Sequence, residues 1–598
     1  MKTPIFKIGT TLGMFLIAIA FVLNSCKKDS TDLPRKNPTA QWDNTEMTKA
    51  TFIGQVIQED GSPLEGAMVS TGSHQITTDA DGFFYFSDIT TPKNATSIKV
   101  EKTGYFKAFK TLSVIANEDN QTRIMIMELP SPVTFDASLG GSVTISTGGS
   151  IEFPQDAIID PATNLPYNGN VSVYAKWIDP SGSNLAFLTP GALRGINEEG
   201  AEEDLTTYGM QAVELVGDAG QSLQLGNGQK AEVTFPLPSS LSGSAPATVP
   251  LWHFDESNGM WVEEGEATKT NGTYVGSVSH FSFWNCDYGG PIVNFTCQLV
   301  DANNNPVANT IVRLIPTTST LSPRISFTNS NGNVTGGLPI NSTFDMEYIP
   351  MGCSFNYPAT FIQTFSSTNT NVNLGTIVVT NNSNPAVISG TVTDCSNAIL
   401  PNAPVKLVGA GSVLFTTADA AGAFSMTMNC LSSATTVTIT SYDVTNAVNG
   451  STSLNVSPNT TVNAGAVQAC GTLNDFITLN ITNPPATTPT TYTIVEPSGT
   501  FSQNFQTETN ISGTDATITP TVFTNFRFDG PQTVAGLHNL TSYYDNIDSI
   551  TSYTPSVVNL TSYGAIGAKI EGSFTTSLTG TVYNNATLNC SFRVTRQQ

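Results

Sequence analysis

Histidine, cysteine and positive charge are all scarce in this chain of 598 residues. Four histidines leave little material for imidazole catalysis. Lys and Arg number 24 against 47 Asp and Glu, a formal net charge of −23, which argues against nucleic acid or anionic lipid as a partner. Between Cys26 and Cys286 there is no cysteine, so the N-terminal half must stand on packing without disulfides. Sustained apolar spacing at i, i+3, i+4, i+7 is also missing, and beyond Leu23 no apolar run is long enough to span a bilayer. What is present is Gly, Pro, Thr, Ser and Asn throughout, separating short alternating runs such as Val143-Thr144-Ile145-Ser146 and Thr436-Val437-Thr438-Ile439-Thr440. Those runs predict an all-β chain: tandem β-sandwich modules in an elongated multi-domain arrangement.

The first residues have the order of an export signal, with Lys2 and Lys7 ahead of an apolar stretch from Ile8 to Leu23. The junction Leu23-Asn24-Ser25-Cys26-Lys27-Lys28-Asp29 resembles the lipobox of bacterial lipoproteins, with Asn24 where a small residue is usual. The resemblance implies that Cys26 is lipidated and becomes the first residue of a mature chain anchored at the outer membrane or cell surface of a Gram-negative bacterium. Residues 1–26 are then the signal, and the polar, Pro-containing stretch 27–49 a flexible tether.

Residues 50–130 read as a strand at Phe52–Ile57, a turn at Glu59–Leu64, a strand from Gly66, and the turn Thr78-Asp79-Ala80-Asp81-Gly82 leading into Phe83-Phe84-Tyr85-Phe86. Asp-Gly pairs supply the positive φ of a tight turn, and the aromatic run alternates into a core. This plan resembles the carboxypeptidase regulatory-like domain, a sandwich of transthyretin type. Segments 289–382 and 383–472 repeat it more loosely, through Asn329-Ser330-Asn331-Gly332 and Asp419-Ala420-Ala421-Gly422. Between the first two copies, 131–288 forms a different unit. Its ends, Gly140-Gly141-Ser142-Val143 and Leu251-Trp252-His253-Phe254 through Phe281-Ser282-Phe283-Trp284, are similar to a sandwich of cartilage intermediate layer proteins. Residues 473–598 read as a further β domain of unknown type.

Candidate chemistry is sparse. His253-Phe254-Asp255-Glu256 has a zinc-like His-x-x-Glu spacing, but a catalytic zinc needs a third ligand, and His74, His280 and His538 have no suitable local context. The string reads as a hairpin, and neither metal nor cofactor is expected apart from weak calcium candidates at Asp79 and Asp81 and in the acidic run Glu198–Asp204. Trp177, Trp252, Trp261 and Trp284 are candidates for a sugar-stacking platform. For disulfides the candidates are Cys395 with Cys430 or Cys470, and Cys297 with Cys353 as the counterpart in the preceding module. With no nucleophile motif, the chain is expected to be a non-catalytic scaffold for adhesion or presentation, its partners being the membrane through the lipid and a surface glycan or protein ligand. The alternative is a glycan-binding lipoprotein of a nutrient-capture system.

Overall fold

The computed structural model describes residues 41–317, 321–350, 359–380, 384–446 and 448–471. Beyond these it describes the strands Phe476–Thr482, Thr491–Val495, Phe501–Phe505, Glu508–Asp515, Val522–Asp529, Gly536–Asp545, Ser552–Tyr553, Val557–Tyr563, Lys569–Thr579 and Ala586–Thr595, with Ser556. Cys26 and Cys353 lie outside the described residues. The all-β expectation holds: the described elements are strands apart from one short helix, Leu185–Leu188.

Modules 1, 3 and 4 share one topology. In module 1 the strand Met47–Ile57 pairs antiparallel with Phe83–Pro92 and parallel with Asp119–Met125, facing a four-stranded sheet of His74–Thr77, Met68–Thr71, Thr96–Glu101 and Ala108–Leu112. In module 3 the outer half of Phe283–Val300 pairs antiparallel with Asn333–Pro339 and parallel with Val372–Val378. In module 4, Ala386–Thr393 does the same with Ala423–Met428 and Thr461–Gln468. The same one-residue bridge closes each first strand, at Ile57–Pro63, Val300–Pro306 and Thr393–Ile399.

A repeated turn enforces this plan. The side-chain oxygen of Asp79 accepts the backbone N–H of Asp81 and Phe83, Asn329 that of Asn331 and Asn333, and Asp419 that of Ala421 and Ala423. The fourth residue is left-handed each time, at φ +69° for Gly82, +73° for Gly332 and +72° for Gly422. A Cβ at Gly82 or Gly332 would lie 2.3 Å from the carbonyl oxygen of Val56 or Leu299 on the first strand. Glycine is therefore required both by the backbone angle and by the close approach.

Module 2 curls a large sheet around Val143, Ile151, Val173, Leu215, Phe235, Leu251, Tyr274 and Trp284. The boundary expected between residues 288 and 289 falls inside a strand. A single 18-residue strand, Phe283–Val300, pairs with Glu202–Val216 in module 2 and then, from Ile292, with module 3. The tether also ends earlier than 49, because the first strand begins at Met47 and Trp42 already donates its backbone N–H to Gly200. In the C-terminal domain antiparallel strands wrap around alternating residues such as Ile477, Leu479, Phe526, Phe574, Leu588 and Phe592, and Phe476–Thr482 pairs with Ala586–Thr595.

Candidate functional site

Several of the acidic residues singled out for chemistry serve as clasps between modules. Asp79 and Asp81 do not face an open loop: Lys406 of module 4 inserts its ammonium between them, in contact with Asp79 Oδ2 and 2.7 Å from Asp81 Oδ2. The lysine is 8% exposed, and Nζ lies 5.5 Å from the Phe83 ring centroid. The calcium reading is corrected on this ground, since the place of a cation beside these carboxylates is taken by a covalently tethered one. Around it Ile53 and Phe83 of module 1 pack with Val413, Phe415 and Tyr442 of module 4, Phe83 stacking on Tyr442 at 5.5 Å.

Module 3 is held to module 1 through its turn. Asn329, Asn331 and Asn333 each donate a side-chain N–H to Glu118 Oε2, at 2.7, 3.1 and 3.0 Å, and the Ser330 backbone N–H donates to Asp119 at 3.0 Å. Burial pushes the Asp119 carboxyl up, against the hydrogen bonds from Ser330 and Gln121. Two members of the acidic run of module 2 are likewise committed. Glu202 pairs with Arg194, which also donates to Asn94 and Ser113 of module 1. Asp204 accepts from Arg324 of module 3 at 2.7 Å. Phe106, Phe109 and Met127 of module 1 complete an apolar cluster with Trp252, Phe254 and Trp261 of module 2.

Trp252, Trp261 and Trp284 are buried, and their indole N–H groups donate to the carbonyls of Asp287, Pro190 and His280. They are core residues rather than a sugar platform, and Trp177 is half-buried. Cys395 is bonded to Cys470, not to Cys430, and Cys430 is itself disulfide-bonded. Cys297 carries a free thiol in the core of module 3, so the suggested bridge to Cys353 is not formed. Burial pushes that thiol up to about 12.

The His-x-x-Glu string separates across its hairpin. Glu256 pairs with Lys107 of module 1 at 2.8 Å, whereas His253 meets two residues that the local sequence did not connect to it. His253 Nδ1 lies 3.1 Å from Glu264 Oε2, and His280 Nε2 lies 3.5 Å from the same oxygen. The two imidazoles meet edge to face at 4.7 Å, beside the Trp284 ring. Hairpin arithmetic accounts for Glu264: His253 pairs with Val262, and an irregularity between Pro250 and Trp252, with Gly265 at φ +81°, turns Glu264 toward it. His280, on the loop after Thr273–Val278, is brought in only by tertiary folding.

Two clefts lie at module junctions. One of about 120 Å³ between modules 1, 2 and 3 is lined by Lys110, Arg194, Asp204 and Arg324 among apolar residues. Burial lowers the Lys110 ammonium to about 8. A larger cleft of about 1050 Å³ between modules 1, 3 and 4 carries Asp88, Glu118, Asp301, Asn303, Asn402 and Asp419.

No family model matches the chain. It is 31% identical over 122 residues to cartilage intermediate layer protein 1 of Sus scrofa, covering 20% of this chain and 19% of that protein. It is 26% identical over 154 residues to cartilage intermediate layer protein 2 of Mus musculus, covering 25% and 13%. The chain thus spans less than a fifth of the length of these relatives. Among solved structures, the shaft pilin SpaA of Lactobacillus rhamnosus GG is 12% identical, over 30% of this chain and 97% of that one, at a TM-score of 0.15. The TIE protein of Bacillus anthracis is 10% identical, over 76% and 68%, at a TM-score of 0.14. At these scores the structural likenesses add nothing about activity. The chain shares local sequence similarity with cartilage intermediate layer proteins, in stretches short of either protein's length.

Proposed function

We propose that the chain is a non-catalytic surface scaffold, lipidated at Cys26, in which four docked modules form one rigid body that presents the C-terminal β domain for adhesion or assembly. The observation that supports it is the set of clasps between modules: Lys406 with Asp79 and Asp81, the Asn329–Asn333 turn on Glu118 and Asp119, and Arg194 and Arg324 reaching across from their own modules. Charged and amide groups committed to neighbouring modules fix orientation, which a stalk or platform requires and an isolated binding module does not. The lipid anchor follows from the Leu-Asn-Ser-Cys junction and the export signal.

Capture of a glycan is the second reading. The cleft of about 1050 Å³ favours it, because its acid and amide walls offer hydrogen bonds to hydroxyl groups. Cell fractionation separates anchored from free protein. Wild type should stay with the membranes and be shaved from intact cells by protease, while Cys26→Ser should be released or left unprocessed. Equal membrane retention of that variant would remove the anchored reading.

A further inference from the structure

We propose that His253, Glu264 and His280 form a binding site for one divalent transition-metal ion of the zinc class. The donor set is two imidazole nitrogens and one carboxylate oxygen, whose ligand atoms all lie within 4.8 Å of one another. Imidazole donors select zinc-like ions over calcium or magnesium, which take oxygen ligands. A tetrahedral ion with bonds of about 2.0–2.1 Å holds its ligand atoms about 3.3 Å apart. The two nitrogen-to-Oε2 distances, 3.1 and 3.5 Å, bracket that edge.

The orientation of the groups supports the same reading. His253 Nδ1 is shielded from solvent and makes no hydrogen bond, despite its closeness to Glu264. A buried polar nitrogen without a hydrogen-bond partner is costly unless something else satisfies it. Ser279 Oγ donates to Glu264 Oε1 at 2.6 Å, which holds the carboxylate with Oε2 turned toward both rings. Outer-shell hydrogen bonds of this kind orient metal ligands.

An ion here would tie together three pieces of chain: the strand Thr248–Asp255, its hairpin partner Met260–Thr270, and the loop that carries His280. Glu264 and His280 are 41% and 31% exposed in their side chains, so a fourth ligand position opens to water. None of the three residues lines either inter-module cleft. The role assigned is therefore a structural clasp on module 2, and it stands independently of the scaffold reading.

The test is calorimetric titration of chelator-treated, tag-free full-length protein with Zn²⁺, paired with thermal unfolding with and without the ion. Wild type should bind one zinc per chain and melt higher with it, and Ca²⁺ should do neither. His280→Ala, at a partly exposed loop position, and Glu264→Gln should each weaken binding by at least about tenfold and abolish the thermal shift, and Ser279→Ala should weaken binding about tenfold. His74→Ala should leave both readouts unchanged. No zinc uptake by wild type, or uptake undiminished in both His280→Ala and Glu264→Gln, would overturn the site.

Discussion

Replacing Lys406 by Met keeps most of the side-chain volume and removes the charge that joins module 4 to module 1. Breaking a buried ion pair by deleting one partner costs about 3–5 kcal/mol, chiefly because the other charge is left unpaired. Here the lysine is 8% exposed but the Asp79 and Asp81 side chains are 33% and 30% exposed, so water can partly rehydrate them. The expected loss is therefore nearer 2 kcal/mol, with up to about 1 kcal/mol more from the ammonium above Phe83. A multi-domain chain has no single unfolding free energy, so the readout should be local. Hydrogen exchange of peptides spanning 79–86 and 404–417 should accelerate by the factor that ~2 kcal/mol implies, about 30-fold, while peptides of the C-terminal domain stay unchanged. Adding Asp79→Asn and Asp81→Asn should restore most of the protection. The turn survives the first change, because Asn329 makes the same turn in module 3. Exchange unaltered by Lys406→Met, or no recovery in the triple variant, would refute the clasp.

Asp287 is fully buried, one of its oxygens has no hydrogen-bond partner, and burial pushes its carboxyl well up. The folded state thus holds a proton that the unfolded chain releases above about pH 4, and stability falls as pH rises from there toward the folded pKa; Asp287→Asn should slow hydrogen exchange of module 2 peptides at pH 8 more than at pH 5 relative to wild type, and an equal gain at both would count against it. The Cys395–Cys470 bond closes a separation of 75 residues, so Cys395→Ala should cost about 4 kcal/mol in module 4, and peptide mapping of unreduced protein should recover this pair rather than Cys395–Cys430. Gly332→Ala should destabilise module 3 by ~2 kcal/mol or more in local exchange, whereas Gly375→Ala, at φ +65° but with nothing near its Cβ, should cost about 1.

Alternation and turn chemistry made the β class and the repeated Asx-type turns legible, because both are local: Asp79, Asn329 and Asp419 announce themselves with a glycine three residues on. What they could not reveal was where the turns point. That Asp79 and Asp81 receive Lys406, 325 residues away from the latter, depends on how sandwiches dock, and docking leaves no periodic mark. The junction near residue 288 was hidden for a related reason: the strand Phe283–Val300 runs straight through it and exchanges partners from one sheet to the next. His280 leaves no local signal because a residue brought in by tertiary folding has no spacing rule, and Glu264 reaches His253 only through the irregularity in its hairpin. The tryptophans were ambiguous in sequence and became core once their N–H groups had backbone partners.

The rigidity of the docked modules can be measured by pulsed electron resonance between nitroxides at Ser73→Cys in module 1 and Ser433→Cys in module 4, both exposed and away from the Lys406 clasp. A single narrow distance distribution is expected, broadening when Lys406→Met is added. A broad distribution in the otherwise wild-type protein would mean that the modules move independently, and would contradict a scaffold built as one body.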